Sequence, residues 1–313
     1  MHFLFLFLDG VGLGENDPEI NPFVAANMPT LRGLLDGQPL IHDSVPCETE
    51  YASLRALDAA LGVTGLPQSA TGQAALLTGK NVPKIVGEHY GPKPNPPVAD
   101  VIRLGTLFHA FQYHALPAAL LNAYPPGYFR AIESGRRLYS AVPLAVTSAN
   151  IPLKTQADLQ DGRAMAADFT AKGWVEYFKD DKTEVMAPID AGHKLAKLSQ
   201  NHAFAFFEYW VSDMLGHKQN MTDAIPTLET LDGVLAGLLD AWDMENGLIL
   251  ITSDHGNMED MSTRRHTARP VPGLVIGAPQ LRAPFIAGLN AITDIASAIL
   301  HLFGLDAKDM QAR

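Results

Sequence analysis

The chain has 313 residues, 47% of them hydrophobic and 18% charged, which is enough to bury a large core as one big domain or two and excludes general disorder. Its formal net charge of −11 argues against a broad nucleic-acid or anionic-membrane surface, because phosphate backbones select clustered Lys and Arg; an anionic substrate must be met by local cations such as metals. Cys47 is the sole cysteine, so neither an internal disulfide framework nor a cysteine-based zinc cluster can form, and a reducing cytoplasm is the expected compartment.

The opening MHFLFLFLDG lacks a basic leader region and a cleavage site, and its apolar run stops at Asp9, too short to span a bilayer. Residues 3–8 therefore read as a buried strand. In GLPQSATGQAALLTGKN, residues 65–81, Ser69 stands between a Pro-containing loop and a run of good helix formers. A serine there is by default an N-cap, but the same position turns backbone N–H groups and the helix dipole towards a phosphate. HYGPKPNPPVAD, residues 89–100, is a Pro-rich loop, followed by a helix over 98–112 and a strand over 117–121. Residues 123–187 contain the turn-rich AYPPGYF and SANIPLKTQADLQDGR with short, irregular apolar runs. They form a small inserted cap between the two parts of a core domain, 1–122 and 188–313. Further strands fall at 203–208, 247–252 and 273–276. A helix over 223–242 puts Ile225, Leu228, Leu231, Val234, Leu235, Leu238 and Leu239 on one stripe, and another covers 291–303. Alternating strands and helices predict an α/β fold, a three-layer α/β/α sandwich around a central, mostly parallel sheet.

Three strands share a property. The first ends in Asp9, FAFFEYWVSDMLGH carries Asp213 and His217 after its apolar run, and LILITSDHGNMED delivers Asp254 and His255. Ligands of open α/β sheets bind beyond the carboxyl ends of the strands, so these groups converge on one edge, and His266 in RRHTARPVPG lies just ahead of another strand. Taken singly, each has an ordinary explanation as a turn residue or a solvated helix face. Taken together, the ordinary explanation needs three strand-tip acids and two partnered histidines by accident. Asp and neutral His suit zinc or manganese, and carboxylate-rich sets also accept magnesium. The groups are too many for one tetrahedral ion and match a pair of divalent ions roughly 4 Å apart.

The motifs DG, SATGQ, DMLGH, SDHGNMED and RRHTARPVPG occur in the order seen in the alkaline phosphatase superfamily. The chain resembles most the branch holding cofactor-independent phosphoglycerate mutase and phosphopentomutase, over roughly its first 90 and last 110 residues. The resemblance implies that Asp213, His217 and His266 hold one metal and that Asp9, Asp254 and His255 hold the other. It also implies that Ser69 bridges to a metal and is the transiently phosphorylated nucleophile, with Thr71 as runner-up. A sulfatase is disfavoured, because neither Cys47 nor Ser69 sits in the C/S-x-P-x-R pattern of that group. The cap shows no pattern matching the substrate-binding arginines of the mutases.

The expected function is a metal-dependent phosphomonoester hydrolase acting on a small phosphorylated substrate. A phosphomutase is the first alternative and a non-catalytic metal-binding protein the second. Lys80, His89, Arg264 and Arg265 are the candidate substrate contacts, although ordinary surface placement explains each of them as well. No nucleic-acid or membrane partner is expected, and oligomeric state is left open.

Overall fold

The computed structural model describes residues 1–312. Among the described residues there are nine strands: β1 (His2–Leu8), β2 (Cys47–Glu48), β3 (Ala52–Leu57), β4 (Ala118–Leu120), β5 (Ala123–Tyr124), β6 (Lys154–Thr155), β7 (Phe204–Tyr209), β8 (Gly247–Thr252) and β9 (Val271–Ile276). Seven of them form the main sheet in the order β2-β3-β9-β8-β1-β7-β4. The central run β8-β1-β7-β4 is parallel, and β9 runs antiparallel to both β8 and β3.

The two-residue period of a strand explains why β1 is apolar throughout. Phe3, Phe5 and Phe7 face one core cluster with Phe204, Phe206, Leu248 and Leu250. Leu4, Leu6 and Leu8 face a second cluster with Ala205, Phe207, Ile249 and Ile251. Helices Ser69–Thr78, Pro96–Arg103, Ala141–Ser148 and Asp294–Leu302 cover the first face, and helices Pro188–Gln200 and Met221–Ala241 cover the second. The expected three layers are therefore present. The stripe predicted over 223–242 is also there, with Leu228, Leu231, Val234, Leu235 and Leu238 buried.

One expectation needs correction, and one pair of strands went unread. The helix predicted over 98–112 is two helices, Pro96–Arg103 and Leu107–Tyr113. Gly105 separates them at φ 144°, against the backbone of Met310, and the Thr106 N–H restarts the second helix by donating to His109 Nδ1 at 3.1 Å. The pair β2 and β3 was not read from the sequence, because CE and ASLRAL lack the β-branched and aromatic residues that mark strands.

The segment 123–187 has two parts. Tyr128, Val142, Ala145 and Val146 sit in the main core, whereas Ala123, Leu159, Ala164, Ala166, Ala171 and Trp174 close a small cluster of their own beside β5 and β6. No helix among the described residues is long and apolar enough to cross a membrane.

Candidate metal centre

Strand order and direction bring the candidate residues together. β8, β1 and β7 are adjacent and parallel, so Asp254, Asp9 and Asp213, each following one of them, reach the same edge of the sheet. β9 runs the other way, so its start lies at that edge, and His266 enters from the loop before it. The chain turns after β1 at Gly10, with φ 67°, where a Cβ would meet the Asp213 carboxylate at 2.6 Å. Gly72 has the same role in helix Ser69–Thr78: a Cβ there would stand 2.9 Å from the Cβ of Asp254. The glycines of DG and SATG thus let two elements close on the acids.

Ser69 is the first residue of its helix and Gln68 is the N-cap, so the default capping role does not apply. The Ser69 hydroxyl instead lies 3.1 Å from His255 Nε2. That nitrogen is also 3.4 Å from Asp9 Oδ1 and 3.6 Å from Asp254 Oδ2. His217 and His266 each donate Nδ1–H to a carbonyl, of Arg264 and Pro67 respectively, both at 2.8 Å. This leaves both Nε2 lone pairs facing one another at 3.3 Å, with the Asp213 carboxylate 3.3 Å from His217 Nε2 and 3.7 Å from His266 Nε2. His255 stacks on His266 with ring centroids 3.7 Å apart.

These groups form two compact sets of possible ligands, Asp213–His217–His266 and Asp9–Asp213–His255, with Asp213 common to both. The resemblance implies Asp254 where the second set has Asp213; Asp254 stands beside that set through its contact with His255. The donor chemistry fits divalent cations. Asp9 Oδ1, Asp254 Oδ2 and Asn257 Oδ1 are buried without a hydrogen-bond partner, an arrangement that costs free energy unless a cation is present.

Electrostatics agree. Burial and the neighbouring carboxylates push Asp9 and Asp254 well above the usual carboxylate range. Burial raises Asp213 too, but His217, His255 and Asn257 outweigh it and hold Asp213 at about 2. The Asp213 carboxylate, which accepts from His217 Nε2 once that ring is protonated, raises His217, whereas burial lowers His266 and takes His255 down to about 3. A bound dication reverses the upward pressure on the acids and is compatible with neutral imidazoles.

Other expected residues fare unevenly. Thr71, the runner-up nucleophile, has its hydroxyl 3.2 Å from the Gln68 carbonyl and 3.3 Å from that of Tyr90, and accepts the Tyr90 N–H, so it ties two segments together. Lys80 follows the C-cap Gly79, at the far end of the helix from Ser69; ten residues at about 1.5 Å each put it too far away to contact a substrate there. His89 lines a cavity of about 390 Å³ with Gln68 and Tyr90, one residue from Ser69. Arg264 and Arg265 are exposed, and the carbonyl of Arg264 fixes His217.

Sequence reasoning missed several supports. Glu259 is buried and accepts N–H groups from Gly12 and Asn257 at 2.9 and 2.7 Å and the Thr267 hydroxyl, tying three loops of the centre together. Asn257 donates to Asp213 Oδ1 at 2.7 Å. Both lie within SDHGNMED, where the motif itself was a signal. Glu208 is buried one residue before the end of β7, and burial raises it to about 7 against a hydrogen bond with Tyr124. No periodicity marked it, since it interrupts an apolar strand.

The sheet and its edge of carboxylates and imidazoles form an α/β fold that carries a candidate metal centre. A family described as Metalloenzyme superfamily matches residues 172–307. The 2,3-bisphosphoglycerate-independent phosphoglycerate mutase of Laribacter hongkongensis is 36% identical over 118 residues, which are 36% of this chain and 23% of that protein. The match thus spans about a quarter of that mutase. The alkaline phosphatase of the Antarctic bacterium TAB5 superposes with a TM-score of 0.53 over 97% of this chain and 98% of its own, at 12% identity. A phosphoglycerate mutase of Leishmania mexicana gives 0.50 over 97% and 95%, at 14% identity. At such identities the superpositions speak for the fold. By sequence, the chain is similar to the Metalloenzyme superfamily over residues 172–307 and to 2,3-bisphosphoglycerate-independent phosphoglycerate mutases over about a third of its length.

Proposed function

We propose that the chain is a phosphomutase-type enzyme that moves the phosphoryl group of a small phosphorylated compound through Ser69. The carrying observation is the Ser69 hydroxyl, buried at a helix N-terminus and 3.1 Å from His255 Nε2, which also lies 3.4 Å from the Asp9 carboxylate and 3.6 Å from that of Asp254. The relatives matched by sequence are mutases, which favours return of the phosphoryl group to the substrate over the release to water expected above. A purely structural metal site needs no hydroxyl in this place.

In this reading Asp213, His217 and His266 hold one divalent ion, and Asp9, Asp254 and His255, with Ser69, hold the other. The ions supply a lowered hydroxyl pKa and neutralise phosphoryl charge. The Ser69 hydroxyl releases its proton to solvent, Oγ bonds to phosphorus, and the ester bond breaks, the leaving oxygen taking a proton from solvent to depart as a hydroxyl. The same Oγ–P bond then breaks as a second substrate hydroxyl takes the phosphoryl group. The positive end of helix Ser69–Thr78 faces the transferred group, and Asn257 and Glu259 keep the surrounding loops in register.

The test is isomerisation of phosphorylated sugars and glycerates, run beside phosphate release, with manganese, zinc or magnesium added. Ser69→Ala is expected to lower transfer by about 10³-fold or more while the ion held by Asp213, His217 and His266 is retained. Turnover that survives Ser69→Ala would remove Ser69 from the mechanism, and phosphate release without isomerisation would return the assignment to a hydrolase.

A further inference from the structure

The candidate centre is closed on one side and open on the other. Asp9, Ser69, Asp254, His255 and His266 are all buried, whereas the His217 side chain is 46% exposed. A phosphoryl group seated against Ser69 therefore leaves the rest of its substrate to extend outward past His217.

Helix Val211–Lys218 borders that opening. Trp210, its N-cap, already has helical backbone angles, φ −86° and ψ −4°. At about 100° per residue, positions 210, 213, 214 and 217 fall within one sector of about 100°, while the buried Ser212, Leu215 and Gly216 pack on the other side. The face that offers Asp213 and His217 to the centre thus also carries two large apolar side chains in water, Trp210 at 46% and Met214 at 36% exposure.

Resting on the phosphoryl-transfer reading above, we infer that Trp210 and Met214 form the platform for the non-transferred part of the substrate, and that this part presents a flat apolar face, as a ring does. A ring lying on the indole removes both surfaces from water, whereas a three-carbon acid would leave the indole wet and bring a charge against it. The platform is continuous with the candidate ligands, so a ring placed on it keeps its phosphate within reach of the centre.

Binding tests this without turnover. In manganese-loaded Ser69→Ala protein, titration calorimetry compares phenyl phosphate with glycerol 3-phosphate, inorganic phosphate serving as reference. Phenyl phosphate is expected to bind about tenfold more tightly than glycerol 3-phosphate. Adding Trp210→Ala should shrink that preference to within about twofold, and Trp210→Phe, which keeps a flat ring, should retain most of it. Phosphate binding with no preference for the ring, or a preference that survives Trp210→Ala, overturns the platform alone. Failure to bind inorganic phosphate overturns the phosphoryl-transfer reading, and the platform with it.

Discussion

The edge of the sheet and the outer part of segment 123–187 are built on different principles. At the edge, every candidate ligand follows or precedes a buried strand, and polar atoms are left unpartnered: Asp9 Oδ1, Asp254 Oδ2 and Asn257 Oδ1. In the outer part of 123–187, the buried carboxylate of Asp180 is fully partnered. Asp180 accepts from Gln156, Gln160, the Trp174 indole and the Thr183 hydroxyl at 2.8–3.2 Å, and the adjacent cavity of about 710 Å³ is lined by side chains of mixed charge. The contrast separates a region that stores unmet bonding capacity for a ligand from one whose bonding is spent on its own shape.

The largest effect that could break this comparison comes from the edge. Asp254→Ala is expected to leave the sheet folded by circular dichroism, remove one of two ions by elemental analysis, and abolish most transfer. Both ions retained in that variant would end the ligand assignment for Asp254. A fold that collapses would mean that the acid is structural.

Acidification comes next. Protons compete with cations for His217, Asp9 and Asp254, all of which lie above their ordinary values in the folded protein, whereas His255, at about 3, stays neutral throughout. Because protonation must be reversed before binding, affinity should fall as pH drops. The loss begins above the ordinary histidine value of about 6.5 and continues towards pH 5, with the ion held by His217 leaving first. Equal metal affinity at pH 8 and pH 5 would refute this.

A smaller effect is expected from the cap. Asp180→Asn turns an acceptor-only hub into one with two donors facing other donors, and thermal unfolding should report a loss of about 1–3 kcal/mol. Metal content should be untouched, and an ion lost from this variant would show that the two regions are coupled. The smallest effect belongs to Lys80→Ala, at the far end of the Ser69 helix, where kcat and KM should both stay within about twofold of the parent protein.

Legibility differed between the same regions. β1, β7 and β8 were readable because a central strand buried on both faces must be apolar along its whole length, and the acids at their ends break that run abruptly. Ser69 was readable as a position but not as a role, since capping and nucleophilic serines look alike until the partner of the hydroxyl is known. Glu259 and Glu208 were hidden for opposite reasons: the first stands beside another acid, Asp260, in a turn-like polar stretch, and the second inside an apolar strand. The break at Gly105 depends on Met310, some two hundred residues away, and no local pattern carries that information.

By itself, the sequence determined the layered α/β architecture and which residue types stand at the strand tips, because burial and strand period act on neighbouring residues. Only the tertiary structure decided that Asp213 stands in both candidate ligand sets, that Ser69 faces His255 instead of capping its helix, and that the centre opens beside Trp210. These outcomes depend on strand order and on the antiparallel direction of β9, which set distances of a few ångströms between residues far apart in the chain.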